Sequence, residues 1–467
     1  MSDSTSSPLP GNTSLASMIR RVASIAMRPE MRGIATVIAL KIMMVTFNFT
    51  LIALAARALD TDGFGHYSIL FSAAGLLLIV GAAGQELFVI RSWNEYATTG
   101  DTGHAKGAMY LSLVLCLGVS TVVAALFYAL TAEAFGANTI LAVTTFLFLS
   151  APLQVTSHLL RTAVGVPAGD GVANFLQIIP AIVYLAACLG TDTVATVSGV
   201  FTFLSAGAFA GLVTHFIMAA RLILRTLPDW PRTRPKVLRR EWLYRSGRLL
   251  VVNTIEATNQ HIDVLLIGLL MSPTAAGAYF VTVRLANLFA AAADAINLFA
   301  TRHFSRLYHG PDRRELDKLL DGIAWITLGF IGAGLLAIGA GGYFALRIID
   351  EAYADNFPEL LVLCLGTAAL AIARPSGSIL MLTGHETRYL ATIAAAATLR
   401  VIGLIVLTPS LGVMGAVIAT AISFILTAVV LRRLVTAATG FDATILRLLR
   451  PKPQPATLET QSKGASP

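Results

Sequence analysis

The sequence predicts an all-α membrane protein of about twelve transmembrane helices in two pseudo-symmetric six-helix lobes, with both termini cytoplasmic. Three observations predict it. Of 467 residues, 56% are apolar and only 13% are charged, where an ordinary soluble domain carries about 25% charge. That composition cannot keep a surface of this size in water, and it is far too apolar for a disordered chain. Next, apolar runs suited to a hydrocarbon core of about 30 Å, which takes roughly 20 helical residues to cross, recur along the whole chain. Finally, Lys and Arg alternate between the connecting segments in the way that loops retained in the cytoplasm require.

The elements follow in order. Residues 1–33 form an N-terminal segment in which a Ser/Thr-rich leader precedes Arg20, Arg21, Arg28 and Arg32. The apolar run after it is long enough to span, so it reads as an uncleaved first helix and not as a signal peptide. Leu15–Arg32 mixes apolar and basic residues and suits a short helix lying in the headgroup plane. The N-terminal lobe, 34–220, holds spans at Ile34–Ala58, His66–Ile90, Gly107–Leu130, Asn138–Leu160, Val172–Leu189 and Val197–Ala220. A polar interruption, 221–248, contains DWPRTRPKVLRREW and nine basic residues. The C-terminal lobe, 249–431, holds spans at Leu249–Met271, Gly277–Thr301, Gly322–Leu346, Glu359–Thr383, Tyr389–Leu407 and Gly412–Leu431. A basic tail, 432–467, closes the chain and is expected to be disordered at its end.

The charges test this division. With the N-terminus inside, 28 of the 34 Lys and Arg residues fall in the seven cytoplasmic segments. The six outside loops hold two, Arg57 and Arg347, and four lie within spans: Lys41, Arg284, Arg374 and Arg400. A missed or extra helix would scramble this alternation downstream of the error.

An even split of spans invites a search for duplication. A shift of 212 residues sets AARALDTDGFGHYSI against IGLLMSPTAAGAYFV, so that Gly65 meets Gly277, Tyr67 meets Tyr279 and Asp60 meets Ser272. Asp60 and Ser272 are expected to cap helices, and each glycine to permit a tight turn.

Enzyme motifs are scarce. Gly332, Gly334 and Ala337 spell a dinucleotide pattern but lie inside a Gly/Ala-rich span with no strand before them, so close helix packing explains them. No Walker loop, HExxH or GxSxG occurs, and the sequence carries no catalytic residue, metal site or cofactor motif. Asp60-Thr-Asp62 sits in an outside loop too short to enclose an acceptor and reads as a turn and cap. Cys116, Cys188 and Cys364 are scattered through apolar runs, too few for a disulfide framework or metal cluster. Nothing in the pattern of basic residues calls for nucleic acid.

Ionisable groups at membrane depth are what remain. Each costs about 2.5 kcal/mol or more there and faces a cavity or a partner. Lys41 lies in the inner third of span 1, with no acid at its depth on span 2. Glu256, His261 and Asp263 lie on span 7, Arg284 and Asp294 on span 8, Arg374 on span 10 and Arg400 on span 11. Lys41, Arg284 and Arg374 offer positive charge to an anionic headgroup such as a lipid phosphate. Asp263 and Arg284, on neighbouring spans joined by a short loop, form the expected internal pair, and Arg400 is expected to pair or snorkel. Glu256, His261 and Asp263 are the candidates for ion coupling, whereas His158 and His215 read as packing residues. Asn48, Asn259 and Gln260, with Asn253, either line the same chamber or bond helices together.

AARALDTDGFGHYSI resembles the loop after the first helix of polysaccharide flippases of the Wzx type, within the multidrug/oligosaccharidyl-lipid/polysaccharide superfamily. The resemblance continues through GAAGQELFVIR, HIDVLLIGLLMSPTAAGAYFVTVRLANL, ARPSGSILMLTGHETRY and TPSLGVMGAVIATAIS. Asp263, Gly277, Tyr279, Arg284, Gly384, His385, Gly412 and Gly415 occupy the recognisable positions, and Asp60 stands where Gly is common. The resemblance implies two six-helix lobes around a chamber lined mainly by spans 1, 2, 7 and 8. It implies an alternating-access flippase that moves lipid-pyrophosphate-linked oligosaccharide to the outer leaflet of a bacterial inner membrane, for surface or secreted polysaccharide. Its partners would be that lipid-linked oligosaccharide, membrane lipids and other polysaccharide assembly proteins. The alternatives are a drug or cation efflux transporter of the same superfamily, a membrane glycosyltransferase or polymerase, and a scaffold in an assembly complex.

Overall fold

A computed structural model describes residues 29–287, 304 and 313–449. The basic leader, Asp294, the second half of span 8 and the tail beyond residue 449 lie outside the described residues.

Every described element is helical. α1 (Pro29–Ala58), α2 (Thr61–Gly81) and a short α3 (Gln85–Ser92) lead through a π turn at Trp93–Ala97 into α4 (Thr102–Phe135). α5 (Ala137–Ala163), a second π turn at Pro167–Gly171, α6 (Val172–Gly190) and α7 (Val197–Thr226) follow. Then come α8 (Arg239–Leu270), α9 (Pro273–Ala286), α10 (Arg313–Ile349), α11 (Phe357–Leu382) and α12 (Glu386–Thr439), with 3-10 turns at Glu351–Asn356 and Ile445–Leu449.

Among the described residues nine helices are long and apolar enough to cross a membrane. They differ from the expected spans at identifiable places. α12 covers 54 residues but breaks at Gly412, where φ is 63° and ψ is −146°, and its two limbs pack side by side, the Ser423 hydroxyl donating to Ala396 O at 2.9 Å. It is two expected spans joined there. A backbone at those angles is essentially restricted to glycine. α8 carries Asn253, Glu256, Asn259, Gln260, His261 and Asp263 and is too polar to count among the nine. α9 is described for 14 residues only.

Helix starts keep the 212-residue period: α2 begins at Thr61 and α9 at Pro273. Ser272 caps α9, its hydroxyl accepting from Ala275 N at 3.2 Å. Asp60 occupies the equivalent position on α2, but its side chain makes no capping bond. Gly65 and Gly277, expected in tight turns, are buried inside α2 and α9. The turn is made one helical turn earlier, and the glycines are buried on the same helices as Tyr67 and Tyr279, both fully buried.

The chain forms two compact units, residues 1–257 and 258–467, and the boundary falls within α8. In the first unit α5 packs on α2, α3, α4 and α7. Its largest buried side chain is Trp242, which sits with Phe88, Val89, Tyr96 and Leu160. The indole donates to Tyr96 Oη at 3.3 Å. The polar interruption is therefore anchored: Lys106 Nζ donates to the carbonyls of Trp230 and Thr233 at 2.8 and 3.0 Å, and Lys236 N donates to Gly103 O at 2.9 Å.

In the second unit α11 lies along α12, with Phe304, Leu320, Leu380, Leu431 and Val435 in one core. The Arg447 guanidinium ties the last turn to Asp317 and Asp321 at 3.0 and 2.7 Å. Both units leave large apolar side chains uncovered, such as Leu130 on α4 at 81% exposure and Leu336 on α10 at 75%. Rows of that kind are compatible with hydrocarbon and not with water.

Candidate functional site

The first unit places Lys41 near one end of its span, which begins at Ala39. Its Nζ lies 3.7 Å from Asp170 Oδ2. Asp170 comes from the π turn Pro167–Gly171, not from α2, which is why a search along span 2 did not find it. The same Oδ2 receives Arg161 Nη1 at 3.4 Å, and Oδ1 receives the Ser157 hydroxyl at 3.1 Å. The turn is held by packing: a Cβ on Gly169 would come within 2.6 Å of Arg161 N, so only glycine lets it approach α5 so closely. Gly171 passes against Leu40 of α1. The carboxylate is thereby set between the cations of α1 and α5. Because the Lys41 side chain is 54% exposed, this pair belongs with surface ion pairs worth about 0–1 kcal/mol.

Asn48 is about two turns further along α1. Its Nδ2 donates to Met44 O at 2.8 Å and to Asn174 Oδ1 at 3.4 Å. His215 is a buried packing residue, with Nδ1 3.1 Å from Thr156 Oγ1. Asn253 donates to Glu86 Oε1 at 2.7 Å, joining α8 to α3 in the first unit.

The second unit seals its charges. Asp263 on α8 faces Arg400 on α12, with Nε 3.3 Å from Oδ1 and side-chain exposures of 1% for Arg400 and 8% for Asp263. Oδ2 accepts from Tyr279 Oη at 2.9 Å and from Thr420 Oγ1 at 3.1 Å. Arg400 Nη2 donates to the backbone and side-chain oxygens of Asn259, and the guanidinium lies 5.2 Å from the Phe424 ring. The network thus joins α8, α9 and both limbs of α12.

Asp263 is therefore taken by Arg400, where the sequence suggested Arg284. Helical phase explains the change. Tyr279 is the α9 residue that reaches Asp263, and Arg284, five residues on at 100° each, points about 140° away. Arg284 instead stacks over Phe280 at 4.9 Å. Arg400 was expected to pair or snorkel, and it pairs. Removing either member of a buried ion pair costs about 3–5 kcal/mol. The Asp263 carboxylate is consequently already paired with a buried cation, whereas Lys41 is held only loosely by Asp170.

The remaining candidates are distributed. Glu256 and Gln260 are exposed residues of α8, His261 is half-buried beside them in sequence, and Arg374 is half-buried on α11 just before Pro375. The network gathers Asn259 with Asp263, and the π turn brings Asp170 and Arg161 to Lys41. Sequence reasoning missed Asp170 and Arg161. The available signal was a lone acid flanked by glycines, PAGDGV, at the head of an apolar run. Among the described residues no group of three or more His, Cys, Asp or Glu is placed to hold a metal, and Cys116, Cys188 and Cys364 are free thiols.

The fold has solved counterparts. An inward-facing multidrug resistance MATE family transporter of the MOP superfamily matches with a TM-score of 0.66 at 12% identity, covering 86% of this chain and 99% of that one. The lipid II flippase MurJ in an inward closed conformation matches with a TM-score of 0.62 at 12% identity, covering 84% and 87%. A MOP superfamily transporter from Pyrococcus furiosus, whose binding pocket is described as reversed in polarity, matches with a TM-score of 0.59 at 13% identity, covering 86% and 94%. At such identities the likeness is one of fold. No curated protein matches the sequence. The stretch from the end of α1 into α10, which holds the α1–α2 and α8–α9 turns and both Asp170 and Asp263, though neither Lys41 nor Arg400, is also the stretch that the sequence shares with a family. Residues 54–332, more than half of the chain, match the family described as polysaccharide biosynthesis protein, and the chain belongs to that family.

Proposed function

We propose that the chain is a flippase that moves lipid-pyrophosphate-linked oligosaccharide from the cytoplasmic to the outer leaflet of a bacterial inner membrane, for surface or secreted polysaccharide. One observation carries the reading: a member of a polysaccharide biosynthesis family has the fold of membrane transporters, among them a lipid II flippase. The work is carriage of a large polar head through hydrocarbon by alternating access, with no covalent step. Twelve spans with both termini inside fit the charge alternation of the loops.

In this reading Lys41, Arg284 and Arg374 attract the pyrophosphate, and Asn48, Asn259 and Gln260 offer amide groups to the sugar. Arg suits phosphate because its planar fork matches two oxygens at once. Ion coupling falls to Glu256 and His261, since Asp263 is committed to Arg400.

The test is reconstitution of the full chain into vesicles with a fluorescent lipid-pyrophosphate oligosaccharide. Leaflet transfer is measured with and without a proton gradient, for the parent and Lys41→Ala. Transfer well above protein-free vesicles, reduced by the substitution, supports the assignment. Transfer equal to protein-free vesicles, or export of organic cations in its place, overturns it.

A further inference from the structure

The two carboxylate sites differ in a way that the proposed function does not absorb. Asp263 is sealed with three polar partners, Arg400, Tyr279 and Thr420, whereas Lys41 touches Asp170 from a half-exposed position at 3.7 Å, beyond hydrogen-bond distance. Asp170 does not depend on Lys41 for its place. Ser157 and Arg161 hold it from α5, and the Gly169 backbone is packed against that helix. Lys41 and Arg161 converge on a single oxygen, Oδ2. Two cations around one carboxylate oxygen leave a local excess of positive charge at the end of α1.

We propose that Asp170 is an internal counter-anion that holds Lys41 and Arg161 together as a phosphate subsite, and that an incoming phosphorylated headgroup takes Lys41 from it. The inference rests on the transport reading and extends it to residues outside the candidates named from sequence. A pyrophosphate linkage carries two negative charges and four non-bridging oxygens against the single charge and two oxygens of a carboxylate, so it competes well for an ammonium held only by a weak, screened pair. Arg161 keeps Asp170 when Lys41 leaves, so the carboxylate is never stranded. In the empty subsite Asp170 cancels one of the two positive charges, which lowers its hold on other anions. The exchange is purely non-covalent: one ion pair is lost and another gained.

The experiment is a binding cycle on the purified full chain in nanodiscs, with a long-chain polyprenyl pyrophosphate as probe. Asp170→Asn removes the competitor and is expected to tighten binding about two- to fivefold. Lys41→Ala is expected to weaken it about tenfold or more, and the double variant should show no gain over Lys41→Ala. Binding by Asp170→Asn that is no tighter than the parent, or a gain that survives in the double variant, overturns the proposal. Should Asp170→Asn fail to fold, amine labelling of Lys41 in the unmodified protein serves instead. Protection by the pyrophosphate lipid and by inorganic pyrophosphate, but not by phosphatidylglycerol, supports a phosphate subsite. Equal protection by phosphatidylglycerol assigns the contact to bulk lipid and overturns it. The parent's leaflet transfer is the separate control: transfer with a null cycle loses this proposal alone, and a positive cycle without transfer loses the transport reading alone.

Discussion

Arg400 sets its Nε 3.3 Å from the carboxylate of Asp263, with both side chains almost wholly withdrawn from solvent. The pair ties α12 to α8 within the second unit, and its oxygens and nitrogens are further used by Tyr279, Thr420 and Asn259. A buried charge is tolerable when every polar atom around it is occupied, and becomes costly when one partner is taken away.

Arg400→Leu should therefore destabilise the second unit by about 3–5 kcal/mol, because it strands the Asp263 carboxylate. The double variant Arg400→Leu/Asp263→Leu should recover much of the loss, since apolar replacement of a whole buried pair is often near neutral. Thermal unfolding in detergent measures both. A double variant no more stable than Arg400→Leu would count against the pair as the cause.

Gly412 gives a cleaner test of backbone strain. A Cβ there would meet only Met271 Cε at 3.7 Å, ordinary contact, so crowding is not the issue. Its φ of 63° with ψ of −146° is a backbone conformation that glycine adopts freely and a residue with a Cβ adopts only under strain. Gly412→Ala should cost about 1–3 kcal/mol through conformation alone. An unchanged melting temperature would count against backbone strain at Gly412.

Trp242 anchors the polar interruption to the first unit. It is fully buried, and its ring centroid lies 5.9 Å from those of Phe88 and Tyr96. Trp242→Ala should cost about 3–5 kcal/mol, whereas Tyr96→Phe, which removes the indole's acceptor but keeps the ring, should cost about 1 kcal/mol. Proteolysis within 227–238 should accelerate in Trp242→Ala and change little in Tyr96→Phe.

Asp442 predicts an acid-sensitive end to the second unit. Burial by itself would raise its carboxyl, but hydrogen bonds from Arg432 and from the Thr444 hydroxyl and amide outweigh that and hold it below the usual carboxylate range. A depressed folded value means that the stabilisation is complete above the ordinary carboxylate pKa and is lost as pH falls through the lower, folded one. The protection of the amides in Asp442–Leu449, taken relative to their intrinsic exchange rates, should fall below about pH 4. Asp442→Asn should remove that pH dependence and show lower protection at neutral pH. A parent whose protection is unchanged between pH 6 and about pH 3 would contradict the account.

Much of the architecture was legible along the chain. Apolar composition, span length and the placing of Lys and Arg are sums over neighbouring residues, so the helical membrane fold could be read without knowing which helix meets which. The 212-residue period was legible too, because Tyr67 and Tyr279 and the starts of α2 and α9 are local features of repeated turns. The polarity of α8 and the charges on it were equally plain. Tertiary structure decided the partners. Depth alone suggested Asp263 with Arg284, but azimuth turns Tyr279 toward Asp263 and Arg284 away, and Arg400 arrives from a limb of α12 more than a hundred residues later. Lys41 found its acid on a turn between α5 and α6, which no inspection of adjacent spans could supply. Hydropathy fixes how deep a residue sits, one helix at a time. Which charge it meets depends on rotation and neighbour choice, and those are set by side chains distant in sequence that pack together only in the folded unit.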